Sequence, residues 1–397
     1  MKNIYLDTSI IISALAAPIM PSIYAKQLVI VFLGIFVLRL MATSWQKKLP
    51  HKAIIFALLI SGIAVTAYTS PENLRRFVPV LLLIFGFPFS GLTLSNRTLM
   101  NALIVIIGYL VVTQIFIALG NVQALMFRDA WYPIENNAWA YGNTDTLFFE
   151  FREFRAAGIF YNPNLLGLYV TLYFFLYASI VSSMDASVRR RLLWSKNAIF
   201  KLTSVVVIFS TYLTGSRTSL IALLVFLFLN SLGSSLSLKS VLNNKRAILF
   251  GFFGLAFSIY YLWEKVSEGI FEDQGSANIK YRILWNYVQN ADLTALIIGG
   301  DFSRQFDAEY GYWLGATGLL GVVGLGLMLR LYYLEVPVLR PFIVAILLMA
   351  IGNSVFYGLP SGTIATMAFI TLSALHKNAS VSTLGKTLGT ANYSTHK

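Results

Sequence analysis

Cysteine does not occur anywhere in the 397 residues, and histidine occurs only three times, as His51, His376 and His396. Without cysteine there is no disulfide framework and no thiolate metal site. Three scattered histidines exclude a His-rich metal centre. Charge is scarce too: 12% of the residues are Asp, Glu, Lys or Arg, about half the roughly 25% of an average soluble domain. Acids are the scarcer sign, 17 against 30 bases. Internal repeats, heptads and low-complexity tracts are missing as well, so repeat-built transporter folds gain no support. What fills the chain instead is 57% hydrophobic, with 30 Phe and 21 Tyr. That composition belongs to a membrane protein.

A bilayer is crossed by about 20 apolar residues as a helix, because the backbone must satisfy its own hydrogen bonds there. Twelve stretches qualify, roughly 8–24, 27–44, 53–69, 77–94, 99–120, 159–183, 198–214, 219–236, 247–263, 310–329, 341–357 and 361–375. The first contains Pro18 and runs on to Pro21; it ends at "APIMPSIYAK" without a small-residue cleavage site, so it is expected to be retained. The last is short and entered through Gly358-Leu359-Pro360. The expected fold is an all-α polytopic membrane protein of about twelve spans, one domain over 1–376. The tail over 377–397, rich in Ser, Thr, Gly and Asn, is expected to lack fixed structure.

Charge gives the orientation. With the N-terminus inside, the inner segments hold 19 Lys and Arg against 3 Asp and Glu, while the outer ones hold 11 against 14. The net charge of +13 thus divides into +16 inside and −3 outside. That is the positive-inside bias, and loops facing anionic lipid account for it without nucleic acid. Both termini and all three histidines then fall on the cytoplasmic side or at its edge. Chemistry on the outer face must work without histidine.

Two outer loops, about 121–158 and 264–309, are much longer than the other connections. The first gathers Trp131, Tyr132, Trp139 and Tyr141 among Asn, Asp and Glu. Aromatic faces beside amides and carboxylates suit a carbohydrate; they also collect at membrane interfaces. Arg152 and Arg155 close this loop, before Asn162-Pro163-Asn164. An arginine here either snorkels to headgroups or holds an anion. Asn-Pro forces a turn or extended step, and Pro163 suits a first helical turn whose free N–H groups favour an anion.

A second arginine stands in the tight turn Thr214-Gly215-Ser216-Arg217-Thr218 between two spans. Arginine that close to hydrocarbon is costly unless paired or used. Thr218 or Ser219 can cap the following helix. In the second loop Tyr281, Leu284, Trp285 and Val288 fall on one helical face, and Arg282, Asn286 and Gln289 on the other. This predicts a surface helix, with two large external loops carrying short amphipathic helices. The stretch "GGDFSRQFDAEYGYW" follows, with Arg304, Asp307 and Glu309 just before an uncharged span. A carboxylate there either complements the helix dipole or serves as a general base.

Several arginines and a carboxylate on three outer segments thus share one membrane depth, where bidentate guanidinium groups suit a pyrophosphate. The pattern resembles the polytopic O-antigen ligase and polysaccharide polymerase (Wzy-type) superfamily. "RAAGIFYNPN" is similar to its Arg-x-x-Gly-x-x-x-Asn-Pro-Asn signature at Arg155, Gly158, Asn162, Pro163 and Asn164. "TGSRTS" resembles its Ser-Arg turn at Ser216 and Arg217, and "YRILW" its outer-loop Arg-x-x-x-Trp helix, with Trp285 one residue early. Asp307 through Tyr310 to Gly318 and Gly321 resembles the entry into its tenth span. Ligases of the family carry His-Asn eleven residues before the Gly-Leu-Leu-Gly turn; here that place holds Asp307 and Ala308. This departure favours the polymerase branch.

The resemblance implies a glycosyltransferase of the bacterial cytoplasmic membrane that faces the periplasm or outside. It would polymerise undecaprenyl-pyrophosphate-linked repeat units into O-antigen, capsule or exopolysaccharide, needing no cofactor, nucleotide sugar or metal. Asp307 or Glu309 would be the base, with Arg217 and Arg282 on the diphosphate. Arg155, Arg152, Asn162, Asn164, Trp131, Trp139, Tyr281 and Arg304 would bind the lipid-linked glycan. A chain-length regulator and a flippase of the same pathway are the implied partners, besides membrane lipid; no nucleic acid is. Two alternatives stay open: a ligase delivering glycan to lipid A core or protein, and a transporter or flippase of lipid-linked sugars. The latter calls for charges deep in several spans, whereas the charges in the apolar stretches, Asp7 and Arg39 clearest among them, stand near ends.

Overall fold

The computed structural model describes residues 2–20, 22–42, 53–69, 77, 80–83, 92–118, 123, 158–160, 163–184, 198–232, 276–300, 309–351, 353, 355–356 and 359–393. Every element in them is helical. The α-helices are α1 Lys2–Ala16, α2 Ser22–Ala42, α3 Ala53–Thr69, α4 Asn96–Ala118, α5 Pro163–Met184, α6 Ala198–Leu213, α7 Arg217–Leu232, α8 Ser276–Asn290, α9 Leu293–Ile298, α10 Glu309–Glu335, α11 Arg340–Met349 and α12 Leu359–Tyr393. Short 3-10 turns cover Ala17–Ile19, Gly158–Phe160 and Pro337–Leu339.

Prolines set several of these boundaries. Pro18 stands in the 3-10 turn that closes α1 at Ala16, where a missing N–H and a fixed φ end the ladder. Pro163 opens α5 in its first turn, as the Asn-Pro step predicts. Among the described residues, three helices are long and apolar enough to cross a membrane: Asn96–Ala118, Asn164–Ser183 and Gly311–Glu335, with mean hydropathy 2.2, 1.8 and 1.8. Of the other expected spans, 247–263 lies outside the described residues and 77–94 is described only in part. The expected span 341–357 is a helix only as far as Met349.

Burial ranks the long helices. The apolar stretch of α5 is 94% buried, against 44% for α4 and 50% for α10, so α5 is enclosed by protein and the others keep one open face. Around α5 the core is aromatic. Phe175 stacks on Phe226 of α7 at 4.2 Å, Phe174 stacks on Phe200 of α6, and Phe342 of α11 meets Phe369 of α12 edge-on at 5.4 Å. Such pairs add about 0.5–1.5 kcal/mol beyond area burial. Buried tyrosine hydroxyls find backbone acceptors across elements: Tyr173 donates to the Leu15 carbonyl and Tyr332 to that of Leu83.

Small residues bring the helices closest. A Cβ on Gly62 of α3 would stand 3.0 Å from the Gly321 Cα and from Thr317 of α10, the sort of close approach that holds helices together in lipid. Between those two positions, Gly318 breaks the α10 geometry at φ 63° and ψ −170°. The reason is packing. A Cβ on Gly318 would overlap the Ile297 carbonyl at the end of α9, and one on Gly299 would lie 2.5 Å from the Ala316 oxygen. The Gly300 N–H donates to that same oxygen at 3.1 Å. The second long loop therefore docks on α10 nine residues beyond Glu309.

A polar node ties one end of the bundle. The Arg39 Nε lies 2.6 Å from Asp7 Oδ1, and the Thr93 backbone N–H donates to Asp7 Oδ2 at 3.0 Å. The Ser95 N–H donates to Thr8 Oγ1, and Asn378 reaches the Leu92 carbonyl. The start of α1, the end of α2, the entry to α4 and residue 378 thus share one end. Asp7 and Arg39 are thus partners. Beyond residue 377 the structure departs from the expected disordered tail, since α12 continues to Tyr393. Val381, Leu384 and Leu388 recur there at i, i+3 and i+7, a helical spacing that composition alone conceals.

The node generates a stability order. Arg39→Leu strands an Asp7 carboxylate that is 1% exposed. It is expected to cost about 2–4 kcal/mol, somewhat under a fully enclosed pair because the arginine stays partly in contact with solvent. Adding Asp7→Asn recovers part of the loss, because Asn still accepts from Thr93. Thermal unfolding in detergent checks this; Arg39→Leu melting with wild type contradicts it.

Candidate functional site

The other end of the bundle collects the motifs that the sequence scatters. The turn between α6 and α7 is built from its own hydroxyls. Thr214 Oγ1 donates to the Thr211 carbonyl at 2.6 Å and accepts from the Ser216 N–H at 3.2 Å. Ser216 Oγ donates to Ser219 Oγ at 2.9 Å. Ser216 precedes α7, so the capping position is one that the reading of Thr218 or Ser219 as caps did not choose. Arg217 opens α7 and is half-buried there.

α5 lies directly against this turn. A Cβ on Gly167 would sit 2.8 Å from Thr214 Oγ1 and 2.9 Å from Ser216 Cβ, so only glycine permits the approach. Gly167 stands one turn beyond Asn164, which is half-buried. Upstream, Gly158, Ile159 and Phe160 are buried, with Phe160 edge-on to Tyr169 at 4.8 Å. The Asn-Pro-Asn helix and the Ser-Arg turn therefore form one packed unit.

Gln114 braces the unit from α4. It is fully buried; its amide N–H donates to the Ser210 carbonyl at 3.1 Å, and its oxygen accepts from Ser210 Oγ at 2.5 Å. The backbone of Gln114 also lies beside Gly158. One amide thus links the 3-10 turn before α5 to the last turn of α6. Sequence reasoning passed over it, although an amide inside a long apolar helix is itself a signal of a special role.

The stretch after α11 joins α7 to α10. Asn353 donates to Thr218 Oγ1 at 2.7 Å. Three residues to either side of it, the backbone holds Glu309: the Glu309 N–H donates to the Ala350 carbonyl at 3.3 Å, and Glu309 Oε1 accepts from the Phe356 N–H at 3.1 Å. The Trp313 indole N–H donates to the same Oε1 at 2.7 Å, and its ring meets Phe77 edge-on. Glu309 is 3% exposed. Its carboxylate works as an anchor for the 350–356 segment, at the helix N-terminus that favours a negative charge. Asn353, like Gln114, is a lone amide in an apolar stretch that the sequence reading passed over.

The third arginine stands on α8. Arg282, Asn286 and Gln289 are exposed on α8, as the polar face predicts. The apolar face is rotated from its predicted line: Tyr287 is buried and Ile283 and Leu284 half-buried, while Trp285 and Val288 are 49% and 38% exposed. Asp292 caps α9, its Oδ1 accepting from the Ala295 N–H at 2.6 Å, and α9 docks at Gly318. Asp307, Arg155, Arg152, Asn162, Trp131, Trp139 and Arg304 lie outside the described residues, as does the side chain of Tyr281. Among the described residues no three His, Asp or Glu side chains gather as metal ligands.

Two substitutions test the convergence. Gly167→Val drives methyl groups into Thr214 and Ser216 and is expected to lower the unfolding midpoint in detergent by several degrees, corresponding to about 1–3 kcal/mol of overpacking. A double-mutant cycle of Asn353→Leu with Thr218→Val is expected to return a coupling of about 0.6 kcal/mol, the average for polar contacts in membrane helices; strictly additive effects argue against the contact. Compared with known proteins, the chain matches no family model and no curated sequence, so any functional reading rests on this geometry and on the motifs themselves.

Proposed function

We propose that the protein polymerises lipid-pyrophosphate-linked oligosaccharide repeat units at the outer face of a bacterial cytoplasmic membrane. One observation carries the reading: the Asn-Pro-Asn helix, the Ser-Arg turn and the start of α10 converge at one end of the bundle through Gly167, Asn353 and Glu309. That end is opposite the Asp7–Arg39 node, whose surroundings the charge bias assigns to the cytoplasm. In this reading the chain has about twelve spans with both termini inside, and the undescribed segments supply the remaining helices.

The chemistry asks for two things. A sugar hydroxyl of one repeat must attack the anomeric carbon of the growing glycan. As that C–O bond forms, the bond from the anomeric carbon to the diphosphate oxygen breaks, its electron pair leaving with undecaprenyl pyrophosphate. The hydroxyl proton passes to a carboxylate, the role one such group plays in inverting sugar chemistry. Asp307 takes this role, two residues before an α10 start that Glu309 clamps from within. Because Glu309 Oε1 already serves two donors, it is the positioning member of the pair and Asp307 the base.

Arg217, held at the head of α7, and Arg282, exposed on α8, stabilise the departing diphosphate. Their charge is permanent, and near a low-dielectric boundary it is worth more than in water. Arg155 and Arg152 precede the α5 entry and hold the lipid-linked glycan with Asn162, Asn164 and the Trp131 and Trp139 aromatics. The absence of an external histidine, with Asp307 in its place, favours polymerase over ligase.

The test is a reconstitution. Purified protein with a synthetic lipid-pyrophosphate repeat unit, in EDTA, is expected to yield a product ladder on a gel. Arg217→Ala, Arg282→Ala and Asp307→Asn are each expected to reduce turnover by about 100-fold or more, the scale of removing one preorganised charge-stabilising group or a general base. Glu309→Gln is expected to reduce stability more than the chemical step. Transfer to an added lipid A core acceptor without a ladder makes the protein a ligase; neither product removes the glycosyltransferase reading.

A further inference from the structure

α10 is two helical pieces in series. At Gly318 its backbone takes φ 63° and ψ −170°, a region that essentially only glycine occupies. The piece before the break, 309–317, is roughly 12 Å long at 1.5 Å per residue. Its last residue, Thr317, rests on α3, where a Cβ on Gly62 would meet it at 3.0 Å. Its first residue, Glu309, is buried in the bundle.

Each end of this piece holds a different part of the chain. At the break, the Gly300 N–H donates to the Ala316 carbonyl at 3.1 Å, and Gly299, at φ 88°, lets the end of α9 approach. α9 depends on that backbone contact, since none of its side chains is buried and Leu293 is 72% exposed. At the other end, Glu309 Oε1 accepts from the Trp313 indole and the Phe356 N–H, and the Glu309 N–H donates to the Ala350 carbonyl. Between Ala350 and Phe356, Asn353 donates to Thr218 Oγ1 at 2.7 Å, in the first turn of α7 beside Arg217. One series of contacts thus runs from α9 through 309–317 and 350–356 to the head of α7.

We propose that 309–317 is a lever that couples the α8–α9 segment to the head of α7. Gly318 is its hinge and the Gly62–Thr317 contact its bearing. In a continuous helix the first turns could not tilt without shifting the packing of Gly62 on Gly321; the break separates the two. Seating α9 on Ala316 then fixes the tilt of 309–317, and with it Glu309, the 350–356 segment and the turn that carries Arg217. By linkage the effect runs equally in the other direction. α8 carries Arg282 and α7 carries Arg217, so an anion held at one arginine alters how the other is presented. The coupling is a property of backbone and buried polar contacts, and it holds whichever reaction the protein performs.

Hydrogen–deuterium exchange of the full chain in nanodiscs, read peptide by peptide, tests the lever from both ends. Asn353→Leu removes the contact to Thr218 at one end, and Asp292→Ala removes the cap of α9 at the other. Asn353→Leu is expected to speed exchange over 297–300 about fivefold or more, the low end for coupled sites. Asp292→Ala is expected to do the same at Phe356 and at Leu220, whose N–H donates to the Ser216 carbonyl in the first turn of α7. The Thr93 and Ser95 amides, bonded at the Asp7–Arg39 node, are expected to keep wild-type rates in both variants. Faster exchange confined to 350–356 and α7 in the first variant, or to α8 and α9 in the second, overturns the lever. A matching rise at Thr93 and Ser95 marks general loosening of the bundle and overturns it too.

Discussion

The arrangement of the motif-bearing end depends on one close approach, that of α5 to the α6–α7 turn at Gly167. α5 is almost wholly enclosed, so it is the element against which the others are positioned. Where it meets the turn, any Cβ would collide with Thr214 and Ser216. In hydrocarbon there is little hydrophobic gain from pressing one apolar helix onto another; contact comes from shape and from hydrogen bonds. Removing the side chain at residue 167 lets the turn sit down on α5, and Arg217 takes its place at the rim. The Asn-Pro-Asn entry, three residues away, is carried to the same spot.

Lone polar groups then lock what shape brings together. Gln114 bridges α4 to the end of α6, Asn353 bridges the stretch after α11 to α7, and Glu309 pins that stretch to α10. Each is buried, and each uses its atoms on a different element. At the opposite end, the Asp7–Arg39 pair with Thr93 does the same. Sparse polar contacts at both ends, with an aromatic core between them, divide the work. The core supplies contact area, and the ends supply register. That division is what allows an arginine and a carboxylate-bearing helix start to be held at a defined depth.

Much of this was legible in advance where local chemistry decides it. The apolar run over 53–69 coincides with α3, and Pro163 begins α5 as an Asn-Pro step requires. The polar face of α8 is exposed as its periodicity indicates. Other features were not legible. Glu309 reads as a possible base or a helix N-terminal charge in the sequence, and no spacing announces its burial against Trp313 and the Phe356 N–H. Trp285 and Val288 belong to the apolar face by spacing, yet among the described side chains of α8 it is Tyr287 that is buried. The helix continuing past residue 377 was hidden by a composition that resembles a tail.

The amino-acid sequence by itself determined the apolar, charge-poor composition that suits a membrane, and which motifs carry arginine and carboxylate. Those are properties of composition and of runs along one dimension, set by the cost of exposing backbone and charge to hydrocarbon. Only the tertiary structure decided which motifs meet, which carboxylate holds a neighbouring segment, and which helix face is left unburied. A helix that is apolar on all sides carries no periodic mark of the face it buries. The choice falls to glycine contacts and single amides such as Gln114, and their partners lie far away in sequence.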